Sequence, residues 1–171
     1  MDKTLEIIRF YEKYNELEQI IRTGWIQSNV PAKRLESVSD HTLKVGMLAS
    51  LITRELNLTK ILEMAFIHDL GEIKIGDIST TEIKTAKDKQ SKYEKELAAV
   101  TEILSVLSPE IKEHYLSLWL EFESQNTKEA ILLKQIDKLD AILKSHMYES
   151  TYNIKGLFDE FYNYNPNNLL N

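Results

Sequence analysis

Two histidines and several acids in this 171-residue chain fall where a bound cation would account for them together. His41 lies on the apolar stripe of one expected helix, His68 and Asp69 stand side by side in the last turn of another, and Asp137 borders the apolar stripe of a third. An ionisable group on a buried helix face costs on the order of several kcal/mol unless it is paired or binds a cation. His41, His68, Asp69 and Asp137 share one solution, which is to ligate a single divalent metal. Two imidazoles and two carboxylates leave open positions on an octahedral ion, and this donor set suits manganese, cobalt, iron or zinc better than magnesium. Such an ion acidifies water and polarises a phosphoryl oxygen, which is the chemistry of hydrolysis at neutral pH. A lone histidine on an apolar face is most often a satisfied core residue, but this joint pattern on three helices is far more specific than its parts.

The elements that must carry these residues are helices. Apolar residues at three- and four-residue steps predict helices over residues 2–21, from about 39 to 56, over 59–70, 91–106, 109–124 and 128–148. Residues 23–31 are expected to be a loop, Ser37 or Ser39 to cap the His41 helix, Thr59 to cap the next, and Gly71 to stop it. Leu5 and Ile8 are expected on the buried side of the first helix, and Leu62, Ala65 and Phe66 along that of the third. The long helix is expected to bury Leu132, Ile136, Leu139 and Leu143. Residues 72–81 are expected to be irregular, 82–90 are lysine-rich, and Phe158, Phe161, Tyr162 and Tyr164 supply aromatic surface for a tail expected to pack back on the body. The fold class is all-α, a helical bundle with the site between core helices. The expected organisation is one domain over residues 1–171, with a core of about 20–150 and a tail from 151.

Composition narrows the function. The chain contains 43% apolar residues and only five glycines and three prolines, which disfavours hairpin-rich folds. With no cysteine, disulfides, thiolate nucleophiles and cysteine-ligated metals are excluded. A net charge of −6 disfavours polymeric nucleic acid and leaves a small phosphorylated substrate that meets a local cation. No apolar run approaches the roughly 20 residues that span a bilayer, and no signal peptide is evident, so a cytoplasmic protein without membrane association is expected.

The order His41, His68-Asp69, Asp137 resembles the signature of the HD-domain metal-dependent phosphohydrolases. The segments Arg22-Thr23-Gly24-Trp25, Ser39-Asp40-His41, Ile67 to Glu72, Gly76-Asp77-Ile78, Trp119 to Glu123 and Lys134 to Asp140 are similar to the 5′-deoxynucleotidase branch of that superfamily. The resemblance implies a homodimer that holds one divalent metal per site and hydrolyses deoxyribonucleoside 5′-monophosphates. It also implies catalytic roles for Glu72 and Asp77, read here as orienting the attacking water and serving the leaving 5′-oxygen, in either assignment. Arg22 could clamp the phosphate through its planar fork, and Trp25 could pack against sugar or base. Trp119 is expected in the core, Glu121 and Glu123 in the scaffold, and Asp140 as support for Lys138, Lys144 or a neighbouring helix. His114 is expected to be exposed, and His146 too far from the site to join the ion. Two other functions compete: hydrolysis of another phosphate ester, such as a nucleoside triphosphate or cyclic nucleotide, and a non-catalytic nucleotide-binding helical module.

Overall fold

The computed structural model describes residues 3–159. Eight α-helices are assigned there: α1 (Lys3–Tyr14), α2 (Thr23–Gln27), α3 (Val38–Ile52), α4 (Leu58–Ile67), α5 (Glu72–Ile75), α6 (Ala86–Leu104), α7 (Pro109–Ser124) and α8 (Lys128–Tyr152). Short 3-10 turns cover Asn15–Glu18 and Thr80–Glu82. Among the described residues the only extended pairing assigned is a single bridge between Ile21 and Ser37. The all-α expectation therefore holds. Phe161, Tyr162, Tyr164 and residues 165–171 lie outside the described residues.

Local chemistry starts and stops these helices. Ser37 caps α3 through a reciprocal pair in which its hydroxyl accepts from the Asp40 backbone while Asp40 accepts from the Ser37 backbone. Each such cap is worth about 1 kcal/mol, and this one fixes the turn of α3 that carries His41. Thr85 and Asp88 cap α6 in the same way, so that helix starts before residue 91. Asn57, not Thr59, caps α4, because its side chain accepts from the Lys60 backbone at 3.1 Å.

Some expectations failed for physical reasons. The first helix ends at Tyr14, and residues 15–21 turn back to place Ile21 beside Ser37. Residues 23–27 form a short helix where a loop was expected, and residues 72–75 do the same. Gly71 has a right-handed φ of −61°, so it is no left-handed stop. A Cβ there would lie 3.2 Å from the Glu96 backbone, so the glycine permits α5 and α6 to approach closely.

The main core gathers Val45 and Ala49 of α3, Ile61, Met64 and Ala65 of α4, Val100 and Ile103 of α6, Trp119 and Phe122 of α7, and Leu133 and Ile136 of α8. A smaller cluster joins Trp25, Val30, Tyr148 and Leu157. In α4 the buried side is Ile61, Met64 and Ala65, while Phe66 is largely exposed. In α8 Leu133, Ile136, Asp140 and Ile142 are buried and Leu143 faces out, a rotation of the stripe by about one residue. Leu5 and Ile8 are exposed, and α1 instead buries Glu6, whose carboxylate accepts from the Ser108 backbone at 3.0 Å.

Candidate active site

The site lies where α3, the turn after α4, α5 and α8 meet. His41 comes from the first turn of α3, His68 and Asp69 from the residues just past α4, Glu72 from the start of α5, and Asp137 from the middle of α8. His41 is fully buried. Its Nε2 lies 3.1 Å from Asp137 Oδ1 and 3.6 Å from Asp69 Oδ2, while His68 Nε2 lies 3.2 Å from the same Asp69 oxygen. One donor atom each of His41, His68 and Asp137 fall within 4.8 Å of one another.

Each imidazole is oriented by its other nitrogen. His68 Nδ1 lies 2.7 Å from the Ala65 carbonyl, which can only accept, so Nδ1 carries the proton and the Nε2 lone pair faces the acids. His41 Nδ1 lies 2.7 Å from Asp140 Oδ2. Neither Nε2 makes a well-formed hydrogen bond, although both are buried. A nitrogen lone pair aimed at carboxylates is repulsive unless positive charge stands between them, so the donor set fits a divalent cation.

The electrostatics likewise call for positive charge among these acids. Burial works to raise the Asp69 carboxyl, but His68, His41 and Arg22 hold it well below the usual range. Burial likewise opposes ionisation of Asp137, and Lys134 and His41 reverse it. For His41, burial and Arg22 push the imidazole down, while the neighbouring carboxylates of Asp137 and Asp140 outweigh them and raise it, which favours positive charge on the ring. Glu72 is different. Burial, Asp69 and Asp77 together push its carboxyl well above the ordinary value, and its Oε2 is buried without a hydrogen-bond partner.

A cavity of about 340 Å³ opens beside this cluster. Arg22, Lys92, Lys134 and Lys138 bring four cations to its wall, interspersed with Asp69, Glu72, Asp77 and Asp137. Arg22 Nη1 sits 3.4 Å from Asp69 Oδ2 and 3.8 Å from Asp77 Oδ1. Asp77 also binds the start of α2, for its side chain accepts from the Thr23 backbone and its carbonyl accepts from the Thr23 hydroxyl at 2.5 Å. Lys134 Nζ lies 2.9 Å from Asp137 Oδ2 and 4.9 Å above the Phe122 ring.

Trp25 borders the cavity but is only 1% exposed. Its indole N–H donates to Glu36 at 2.6 Å, and its ring meets the Tyr148 edge. Trp119 is in the core as expected, stacked on Tyr93. Glu121 supports the scaffold by accepting from Thr127 and pairing with Lys60. Asp140 supports a neighbouring helix, α3, through His41 and Lys44. His114 is half exposed beside Glu63, and His146 packs on Phe158, away from the cluster. Lys92 belongs to the lysine-rich stretch from Lys84 to Lys95, which follows the Asp77 loop closely enough to shape a substrate mouth, and it does line the cavity. Sequence reasoning missed Lys134 and Lys138 as cations of that wall, although Lys134 stands one helical turn before Asp137, a spacing that could have flagged it.

An all-α protein with a buried His/His/Asp cluster able to hold a metal ion is the class that this fold and site define. The chain belongs to the HD domain family, whose profile matches residues 14–169. It is 32% identical over 158 residues to the 5′-deoxynucleotidase HDDC2 of Mus musculus, covering 91% of this chain and 76% of that protein. It is 34% identical over 151 residues to the protein of the same name from Dictyostelium discoideum, covering 83% and 77%. A conserved hypothetical protein from Pyrococcus furiosus has the same fold, with a TM-score of 0.75 and 32% identity over 91% of this chain and 86% of that one.

Proposed function

We propose that this chain is a metal-dependent phosphomonoesterase that hydrolyses deoxyribonucleoside 5′-monophosphates to deoxynucleoside and phosphate. The observation that carries the reading is the pair of buried Nε2 atoms of His41 and His68, both turned toward Asp69 and Asp137 beside a cavity ringed by four cations. The names of the relatives from Mus musculus and Dictyostelium discoideum support the choice of substrate.

In this reading His41, His68, Asp69 and Asp137 hold one manganese, cobalt, iron or zinc ion. Bound there, the ion supplies Lewis acidity at the phosphoryl group and makes water a better nucleophile. Arg22 receives the phosphate through its planar fork, helped by Lys134 and Lys92. Glu72 takes the proton of the attacking water at its carboxylate as the bond from water to phosphorus forms. The bond from phosphorus to the 5′-oxygen breaks as Asp77, entering the step as the acid, passes its proton to that oxygen, and the proton taken by Glu72 returns through solvent to restore Asp77. Trp25 forms the wall against which sugar or base packs.

The same reading takes the protein as a cytoplasmic homodimer that binds neither membrane nor polymeric nucleic acid. Among the described residues no helix is long and apolar enough to cross a membrane. Leu43, Met47 and Leu51 present an apolar stripe on the outer side of α3, exposed by 55–68%, which supports self-association. Light scattering on the purified protein tests the dimer.

A phosphate-release screen tests the function, with deoxy- and ribonucleoside monophosphates, triphosphates and cyclic nucleotides, each divalent metal being added in turn. Faster release from deoxyribonucleoside monophosphates is expected. Equal rates on all esters would remove the deoxynucleotidase assignment, and no release with any metal would remove the enzyme.

A further inference from the structure

Behind the cavity a buried line of polar side chains joins its wall to His41. The Trp25 indole donates to Glu36 Oε2 at 2.6 Å. The other oxygen of Glu36 pairs with Lys44, and Lys44 Nζ lies 3.6 Å from Asp140 Oδ2. That same oxygen sits 2.7 Å from His41 Nδ1. The Glu36 backbone N–H donates to the Tyr148 hydroxyl at 2.9 Å, so the line is anchored to α8 as well.

The side chains of Glu36 and Asp140 are almost wholly buried, at 1% and 4% exposure, and one ammonium stands between them. Two buried carboxylates around a single cation are an expensive way to fill a core, since an apolar pair of similar volume is often neutral or stabilising. The arrangement is economical only if the carboxylate at position 140 is needed where it stands. There it meets the one ring nitrogen of His41 that faces away from Asp69 and Asp137.

We infer that Asp140 is a positioning residue that holds His41 Nδ1–H so that Nε2 is presented to the metal, and that Lys44 and Glu36 brace Asp140 from the Trp25 wall. This rests on the metal site proposed above. A histidine ligand whose outer nitrogen donates to a carboxylate has a fixed ring orientation and a more basic inner nitrogen, and loss of that partner commonly weakens metal binding about 10- to 100-fold. Lys44 lies one helical turn from His41 on α3, and Asp140 one turn from Asp137 on α8, so both devices are written into helical spacing.

The experiment titrates the chelator-treated full chain with Co²⁺, following its visible absorption, and records the ¹H–¹⁵N signal of His41 Nδ1 without and with diamagnetic Zn²⁺. Asp140→Ala is expected to raise the Co²⁺ dissociation constant about 10- to 100-fold and to lose the Nδ1–H signal to solvent exchange. Asp140→Asn keeps an acceptor oxygen and is expected to fall between Asp140→Ala and the unaltered protein; it carries the test if Asp140→Ala does not fold. Lys44→Met is expected to weaken Co²⁺ binding in the same direction, with little further loss in the double variant. Co²⁺ binding within twofold of the unaltered protein in the Asp140 variants would overturn the inference, as would full additivity of Lys44→Met and Asp140→Ala. If the unaltered protein bound neither metal, the site proposed above would fall with it. The orienting of His41 by Asp140 would then stand or fall on whether its Nδ1–H signal is present and is lost in Asp140→Ala.

Discussion

The indole N–H of Trp119 donates to the backbone carbonyl of His68 at 3.2 Å, so a core tryptophan of α7 holds the peptide that carries a candidate ligand. Phenylalanine at position 119 would keep most of the packing and leave that buried carbonyl without its partner. The cost is expected to be about 1–3 kcal/mol. In a chain of this length each kcal/mol lowers Tm by roughly 2–4 °C, which calorimetry of Trp119→Phe measures.

Replacing a ligand should remove chemistry without removing the fold. For His68→Ala and Asp137→Ala, phosphate release is expected to fall by at least about 10²-fold, with the helical circular dichroism signal retained. Undiminished turnover in either variant would refute the metal assignment.

Glu72 gives a pH signature. Its carboxyl is raised well above the ordinary value by burial, Asp69 and Asp77, so the folded chain holds that proton more tightly than the unfolded chain does. The resulting stability is complete below the unfolded value of about 4.3 and is lost as pH rises through the raised folded value. Metal-free Glu72→Gln should therefore match the parent protein near pH 4 and melt higher at pH 7–8. The same variant should lose about 10²- to 10⁴-fold in turnover. Melting curves across pH decide the first point, and a lower Tm at pH 8 would contradict it.

Arg22 stands between Asp69 and Asp77, and only a planar fork can face both acids and a phosphate. Arg22→Lys keeps the charge and loses the fork. A fall in kcat/KM of about 10- to 100-fold, carried mainly by KM, is expected from steady-state kinetics, corresponding to roughly 1.4–2.8 kcal/mol.

Metal should also stabilise the folded chain, because the unfolded chain has no assembled site. Added Mn²⁺ at about 100 times its dissociation constant is expected to contribute roughly 2.7 kcal/mol, with a matching rise in Tm that chelator reverses. A Tm indifferent to every divalent ion tested would count against the site.

Periodicity made the helices legible, and the order of His41, His68-Asp69 and Asp137 made the candidate ligands legible, because both are local or ordered along the chain. Boundaries were less so. Asn57 displaced Thr59 as a cap, and α8 turned by about a residue, since neighbouring helices decide which side of an amphipathic helix is buried. The burial of Glu6 and the exposure of Leu5 and Ile8 were hidden for the same reason.

What the sequence by itself determined is the helical class, the nitrogen and oxygen donor set and the exclusion of thiol chemistry, all consequences of residue type and spacing. Tertiary structure alone decided that Asp140 meets His41, that Glu36 reaches both Trp25 and Lys44, and that Lys92 and Lys134 share a wall with Arg22. These partners are distant in sequence or lie on separate elements. Their encounter depends on the packing of α3 against α8 and of α5 against α6, which no local pattern of residues encodes.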